Sequence, residues 1–452
     1  MRIAIVGWGV EGQSAAKFFG PTHEFLIVNE HPRADFPAQS AKVKLQYLEA
    51  DRPIGMVGNV ADLSYLEGLA GCDKIVYSPS SFKNLQKVYG QDKNFWGKAT
   101  TVQNLFFENV ATENIIGVTG TKGKGTTCTL IAKMLEAAGK KVYLGGNVGN
   151  SMLDFVNTVQ ASDWVVLELS SFQLHNFNHS PHIGVCLMVV PEHLDWHSTM
   201  AEYVQTKANL FKNQTAKDIA VYFADNKYSI KIAAVSPGKK VPYYKPPGAY
   251  VRSDGMIVVG DDKTEVIHRS EVKLIGEHNL QNICAAATTV FEALGTIDKA
   301  KAVLHSFSGL EHRLGLVREL GSIKYYDDSF GTTPETAIVA LKAFLEPKII
   351  ILGGSDKGSS FDELADTLVK SNVRHAILIG ETAGHLAKLL KNRNFTSVTT
   401  GLTTMPEIVK AARKVAQPGD IVLLSTGCAS FGLFADYKDR GNKFKQSVLQ
   451  LV

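Results

Sequence analysis

Short runs of apolar, often β-branched residues alternate along the chain with stretches in which apolar positions recur every three or four residues. That alternation predicts strands joined by crossover helices, and hence parallel α/β architecture. Three runs are especially clear, Ile3 to Val6, Asn114 to Val118 and Lys348 to Leu352, and each leads directly into glycine. Ligands of open α/β sheets collect beyond the carboxyl ends of strands, so three such turns predict three ligand-binding units. The expected domains are 1–98, 99–308 and 309–452. Between 236 and 268 prolines and glycines interrupt the pattern, while Tyr243, Tyr244, Tyr250, Ile257 and Val259 keep a strand-forming content. This predicts an antiparallel excursion rather than a linker.

Length and composition narrow the class without changing that outline. A chain of 452 residues exceeds one hydrophobic core, and about 150 residues per domain again gives three. The net charge of +4, from 48 basic and 44 acidic residues, demands neither nucleic acid nor an anionic membrane. Met1 to Val6 runs straight into a glycine turn, and no apolar run approaches the ~20 residues of a membrane span. Cys72, Cys128, Cys186, Cys284 and Cys428 are odd in number and scattered, which points away from disulfide frameworks and zinc knuckles. A cytoplasmic protein is expected.

Gly7, Gly9 and Gly12 have G-x-G-x-x-G spacing after the first strand, Ser14 lies at the start of the following helix, and Glu30 ends the next apparent strand. Such a turn lets backbone approach a pyrophosphate. A purely structural tight turn, a UDP site and an NAD site all fit it. The second turn is richer: Gly120, Thr121, Lys122, Gly123, Lys124, Gly125, Thr126 and Thr127 link the strand 114–118 to a helical stretch. Strand, glycine-rich loop, lysine, hydroxyl and helix follow in the order a triphosphate site requires. Lys124 would neutralise phosphate oxygens, and Thr126 could hold Mg²⁺. Val118 stands where the strict phosphate-loop pattern has glycine, and Gly125 directly follows Lys124, which disfavours an ordinary kinase or GTPase.

Further strings complete the pattern: Glu168 to Leu174 (E-L-S-S-F-Q-L), Pro191 to His197 (P-E-H-L-D-W-H), Lys207 within Q-T-K-A-N-L-F, and Gly276 to Asn282 (G-E-H-N-L-Q-N). With the loop at 119–127 they resemble, in the same order, the Mur ligase family. The resemblance implies three α/β domains: an N-terminal Rossmann-like domain for a UDP-sugar, a central P-loop ATPase-like domain, and a C-terminal Rossmann-like domain for an amino acid. It implies that Glu168 and His193 bind Mg²⁺, in two copies by the same resemblance, and that Lys207 carries a carbamate with two oxygen donors. Asn279 and Asn282 would recognise adenine from one helix face, although Asn279 also suits a helix N-cap. Asn147, in G-N-V-G, would lie near the nucleotide substrate or serve only the turn. Glu192 and Met188 depart from the family's usual aspartate and asparagine.

In the last domain Leu310 to Arg313 resembles the family's G-L-x-H-R string, whose arginine reaches ATP phosphates. Asp328 and Thr332 match residues that touch nucleotide ribose and substrate, with Phe330 where lysine is common. Lys357, in L-G-G-S-D-K-G, would grip a carboxylate of the amino acid, and Ser430, Phe431 and Tyr437 would contact the same molecule. Thr426 and Gly432 depart from the pattern. The implied reaction joins D-glutamate to UDP-N-acetylmuramoyl-L-alanine through an acyl phosphate at the expense of ATP, in a monomer. Folylpolyglutamate synthase, favoured by Gly125 but opposed by about 110 leading residues, is the nearest rival. A non-catalytic nucleotide-binding relative and an NAD oxidoreductase are the others.

Overall fold

The computed structural model describes residues 1–33, 35–48, 62–147, 150–274, 276–355 and 359–452. Its first sheet is parallel and contains β1 (Arg2–Val6), β2 (Glu24–Val28), β3 (Val43–Gln46), β4 (Lys74–Tyr77) and β5 (Ala99–Thr100), in the order β3-β2-β1-β4-β5. The chain leaves β1 toward one edge and later returns on the other side. The carboxyl end of β1 is therefore a topological switch point, where a crevice opens for ligand. Gly7 and Gly9 lie in that turn and Gly12 in the helix that follows it, where a Cβ would land on the Gly7 carbonyl.

The second sheet is also parallel and holds β6 (Ile115–Thr119), β7 (Val142–Gly146), β8 (Trp164–Glu168), β9 (Ile183–Cys186), β10 (Ile219–Phe223) and β11 (Lys239–Tyr243), in the order β11-β10-β9-β6-β8-β7. Every residue of β6, β8 and β9 is buried, as expected of strands covered on both faces. Their register sets Val118 beside Glu168 and Thr119 beside Cys186. The loops after these three strands consequently emerge side by side.

The antiparallel excursion is shorter than the sequence suggests. Lys239–Tyr243 pairs parallel with β10 as the edge of the second sheet. Only β12 (Tyr250–Val251), β13 (Met256–Val259) and β14 (Thr264–His268) form an antiparallel sheet. Proline at 242 is compatible with a sheet edge, where one row of amides needs no partner.

The fourth sheet contains β15 (Gly315–Leu320), β16 (Ile323–Asp327), β17 (Lys348–Gly353), β18 (Val373–Ile379), β19 (Val398–Thr399) and β20 (Ile421–Leu424). Its order is β15-β16-β20-β17-β18-β19, parallel except for the antiparallel edge strand β15. One apolar cluster joins Ile350 and Leu423 to the helices Pro334–Lys342 and Asp362–Lys370, and another joins Ile351 and Val422 to Met405–Val415 and Tyr437–Leu449. Alternate strand residues thus face two helical layers.

The chain forms two compact units, Met1–Glu271 with His278–His305, and Val272–Glu277 with Ser306–Val452. Among the described residues no helix is long and apolar enough to cross a membrane.

Candidate active site

The loop after β6 is shaped by a left-handed residue. Gly123 (φ 87°) precedes the helix Lys124–Ala137, whose start has no side-chain cap. Its first amides can therefore receive an anion. A Cβ at Gly123 would fall on the Asn282 side-chain oxygen, so the turn needs glycine for space as well as for conformation. Thr127 Oγ1 donates to Asn282 Oδ1 at 3.5 Å, and Asn282 Nδ2 donates to Asn279 Oδ1 at 3.1 Å. The two amides expected at adenine are thus coupled to each other and to the phosphate loop. Thr126 is buried in the first helical turn, and Lys122 is exposed.

Lys124 folds back over the loop, its Nζ donating to the carbonyls of Gly120 (3.2 Å) and Thr121 (3.0 Å). Thr121 has a structural task. Its amide donates to the Met188 carbonyl, and its hydroxyl meets the Val190 backbone and the Tyr203 phenol. Lys207, on the helix Met200–Lys212, is buried, and its Nζ donates to the Gly120 carbonyl at 2.8 Å and to Thr119 Oγ1 at 3.4 Å. The ring of Tyr203 lies under it, 4.6 Å from centroid to Nζ. Burial, then the neighbouring Lys124 cation, pull the Lys207 pKa down to about 7. Two lysines therefore share one carbonyl.

Glu168 ends β8 and is 4% exposed. One of its oxygens accepts from Asn147 Nδ2 at 2.9 Å, and its backbone carbonyl accepts from the Asn147 amide at 2.9 Å. The other oxygen, Oε2, is buried without a hydrogen-bond partner. Leaving a buried carboxylate oxygen unmatched is costly, and a cation would remove the cost. Glu168 also acts electrostatically on Lys207, and both Glu168 and Lys124 act on Cys128. These observations bring Lys124, Glu168 and Lys207 together.

His193 stands at the rim of that group. It adopts φ 56°, its side chain is 43% exposed, Nε2 lies 3.6 Å from the Glu192 carboxylate, and its ring centroid is 4.8 Å from that of Phe172. His193 and Lys207 both repel a proton from His197, so they border one neighbourhood. Among the described residues no three His, Cys, Asp or Glu side chains gather into a metal site. Mg²⁺ commonly takes only one or two protein carboxylates and fills its shell with phosphates and water. The unmatched Glu168 oxygen fits that requirement.

The glycine turn after β1 is built differently. Gly9 precedes the helix Val10–Phe19 without a side-chain cap, but Glu11 sits in the first helical turn. Its Oε1 accepts from Gln103 Nε2 at 2.6 Å and from Gln173 Nε2 at 2.7 Å, and burial raises its pKa. Ser14 is buried and donates to Asp154 Oδ1 at 2.8 Å. Glu30 lies two residues beyond β2, with His31 Nε2 3.6 Å from its carboxylate.

In the second unit Arg313 occupies a strained turn between His312 (φ 62°) and Leu314 (φ 46°). Two adjacent carboxylates hold the flanks: His312 Nδ1 is 2.7 Å from Asp327 Oδ2, and the Leu314 amide donates to Asp328 Oδ1 at 3.2 Å. Desolvation raises the Asp328 pKa to about 7, against the Ser425 hydroxyl that donates to its Oδ2 at 2.6 Å. The turn after β17 meets the chain after β20, where Ser355 pairs with Ala429 next to buried Ser430. Phe431 is exposed, Tyr437 and Thr332 are half-buried, and Lys357 lies outside the described residues.

A family model described as the Mur ligase middle domain matches residues 118–290, and one described as the Mur ligase glutamate ligase domain matches residues 312–428. The UDP-N-acetylmuramoylalanine--D-glutamate ligase of Pelotomaculum thermopropionicum is 39% identical over 100% of this chain and 98% of its own length. Its namesake from Symbiobacterium thermophilum is 36% identical over 99% and 97%. The chain belongs to the Mur ligase family. Two solved Thermotoga maritima structures share the fold of this Mur ligase. UDP-N-acetylmuramate-alanine ligase has a TM-score of 0.59 at 15% identity, covering 99% of each chain. The MurF ligase in complex with ADP has a TM-score of 0.58 at 17% identity, covering 99% of this chain and 94% of its own.

The site of this Mur ligase contains residues that motif reading alone passes over. Tyr203 joins Lys207 to Thr121, and its position four residues before Lys207 on one helix face was the available signal. Gln173 has two tasks. Its Oε1 accepts from the Ser170 amide at 3.0 Å to close a capping box, and its Nε2 reaches Glu11. The capping spacing is legible in the sequence. The contact with Glu11 spans 162 residues and has no local signature.

Proposed function

We propose that this chain is the ATP-dependent ligase that joins D-glutamate to the alanyl carboxylate of UDP-N-acetylmuramoyl-L-alanine, a step in making peptidoglycan precursors. The meeting of Lys124 and Lys207 at the Gly120 carbonyl, beside a Glu168 oxygen with no donor, is the observation that carries the reading. The full-length relatives named for this reaction support it. The working division is 1–98 for the UDP-sugar, 99–308 for ATP and 309–452 for the amino acid, in a cytoplasmic monomer.

In the proposed reaction an alanyl carboxylate oxygen attacks the γ-phosphorus of ATP, and the bond to ADP breaks. The amine of D-glutamate then attacks the acyl carbon, forms a tetrahedral intermediate, loses a proton and expels phosphate. No side-chain nucleophile is required. Lys124, the open helix start behind it and Arg313 would offset the charge that accumulates as a carboxylate approaches a triphosphate. Glu168, with Thr126 and His193 nearby in the sequence reading, would hold Mg²⁺, two ions by family resemblance, and Asn147 keeps the Glu168 carboxylate oriented. Bound Mg²⁺ supplies further neutralisation of phosphate charge.

Lys207 fits carbamylation. Burial leaves much of its amine uncharged near neutral pH, and uncharged nitrogen can attack CO₂. The uncharged nitrogen bonds to the carbon of CO₂ and releases a proton, so a neutral amine becomes an anionic carbamate beside Lys124. Asn279 and Asn282 would read adenine, Asp328 the ribose, and Thr332, Lys357, Ser430, Phe431 and Tyr437 the substrates. Phosphate release from ATP, measured with UDP-N-acetylmuramoyl-L-alanine and a panel of amino acids, tests the assignment. Turnover with D-glutamate is expected, and turnover only with another amino acid would reject the substrate.

A further inference from the structure

Phe330 follows Asp327, Asp328 and Ser329 in the chain, at the position where the family often has lysine. The Arg313 guanidinium carbon lies 3.8 Å from the centroid of the Phe330 ring. That is stacking distance, and an aromatic face holds a guanidinium in one plane. The ring also meets Tyr437 edge to face, with centroids 5.0 Å apart and planes at 82°.

The platform itself is firmly fixed. The Phe330 amide donates to the His312 carbonyl at 2.9 Å, so Phe330 is tied to the residue preceding Arg313. Ser329 Oγ donates to the Tyr437 carbonyl at 2.8 Å, and buried Arg440 donates to both Ser329 Oγ and its carbonyl at 2.9 and 2.7 Å. Two left-handed non-glycine residues flank Arg313, which is the kind of strain that persists only where surroundings fix the backbone. Backbone and carboxylates therefore fix the residues on either side of Arg313, and the ring lies against its guanidinium.

We propose that Phe330 is a positioning residue that pre-orients Arg313 for the ATP phosphates, replacing a second cation with a stack that holds the first. The proposal rests on Arg313 having the phosphate role stated above. A lysine at this position would add charge but repel the guanidinium; the phenyl ring adds none and removes rotamer freedom from Arg313. The ring's contact with Tyr437 leaves the amino-acid end independently held, because Tyr437 is anchored through its backbone to Ser329.

Steady-state phosphate release with the full-length enzyme tests this through four variants. Phe330→Leu is expected to raise KM for ATP about three- to fivefold, the range of an exposed cation–π contact, while KM for D-glutamate and the melting temperature hold. Phe330→Trp, which keeps an aromatic face, should restore KM for ATP. In Arg313→Ala the Phe330→Leu effect should vanish, as two members of one interaction are not additive. An unchanged KM in Phe330→Leu beside a raised KM in Arg313→Ala would overturn the proposal and leave the ligase reading intact. An unchanged KM in Arg313→Ala would overturn the phosphate role on which it depends.

Discussion

The turn after β1 and the turn after β6 have the same local construction and opposite electrostatics. Each follows a parallel strand paired on both sides, uses a left-handed glycine (Gly7 at φ 95°, Gly123 at φ 87°) and opens a helix with no side-chain cap. At the second turn Lys124 and Lys207 meet on one carbonyl. At the first, Glu11 places a buried carboxyl, not a cation, in the opening helical turn. Glycine spacing specifies where backbone can approach a ligand. The charged side chains around it decide how much negative charge that ligand can bring.

The largest effect should come from removing the cation of the second turn. Lys124→Ala is expected to lower kcat by about 10² to 10³, the scale of losing one preorganised electrostatic contact to a developing anion. Phosphate release under saturating substrates measures it. A comparable loss from neutralising Glu11 in the first turn would erase the contrast between the two.

Lys207 sharpens the contrast through stability. Its pKa falls from 10.5 in an unfolded chain to about 7, so between these values the unfolded state binds more protons. Stability contributed by this residue therefore rises with pH from about 7 toward 10.5 and is lowest below 7. In CO₂-free buffer without nucleotide, Lys207→Met should melt higher than the parent at pH 6, with the gap closing toward pH 10, and should lose turnover. A constant gap across pH would mean that the buried amine is not the source. Such a trade of stability for function is expected where a site keeps a charge that folding alone would discard.

The sequence made the second turn legible because its lysine, glycines and hydroxyls are contiguous, and Glu168 was legible because it closes an apolar strand. The parallel character of three sheets followed from continuous apolar runs such as Ile349 to Leu352. Lys239–Tyr243 was misread as part of an antiparallel excursion because its proline and exposed lysines suit an edge strand of either direction. The link between Glu11 and Gln173 was illegible because nothing local marks a contact between two such distant residues. Phe330 looked like a lost charge in the sequence; only the fold shows the guanidinium lying on its ring.

A smaller effect is expected at the first turn. Burial raises the Glu11 pKa, so the folded state keeps its proton to higher pH than the unfolded state does. Stability from this group is accordingly full at low pH and declines as pH rises past 4.5. Glu11→Gln retains an oxygen to accept from Gln103 and Gln173 and cannot ionise. Its melting temperature should rise by about 2 °C at pH 7, with a flatter dependence on acid pH. A fall would indicate that the carboxylate is needed in charged form.

The smallest change separates two readings of Ser14. Its place after G-x-G-x-x-G suggests contact with the UDP-sugar, whereas its hydroxyl donates to Asp154 at 2.8 Å from a buried position. A hydroxyl spent on an internal carboxylate cannot also donate its one proton to a phosphate. Ser14→Ala removes that donor and leaves the Asp154 oxygen to find water, a loss of about 1 kcal/mol. Chemical denaturation should register that loss, while KM for the UDP-sugar should stay within about twofold, since 1.4 kcal/mol would be needed for a tenfold change. If KM rose and the denaturation midpoint held, the hydroxyl would belong to the ligand after all, and the first turn would resemble the second in more than its backbone.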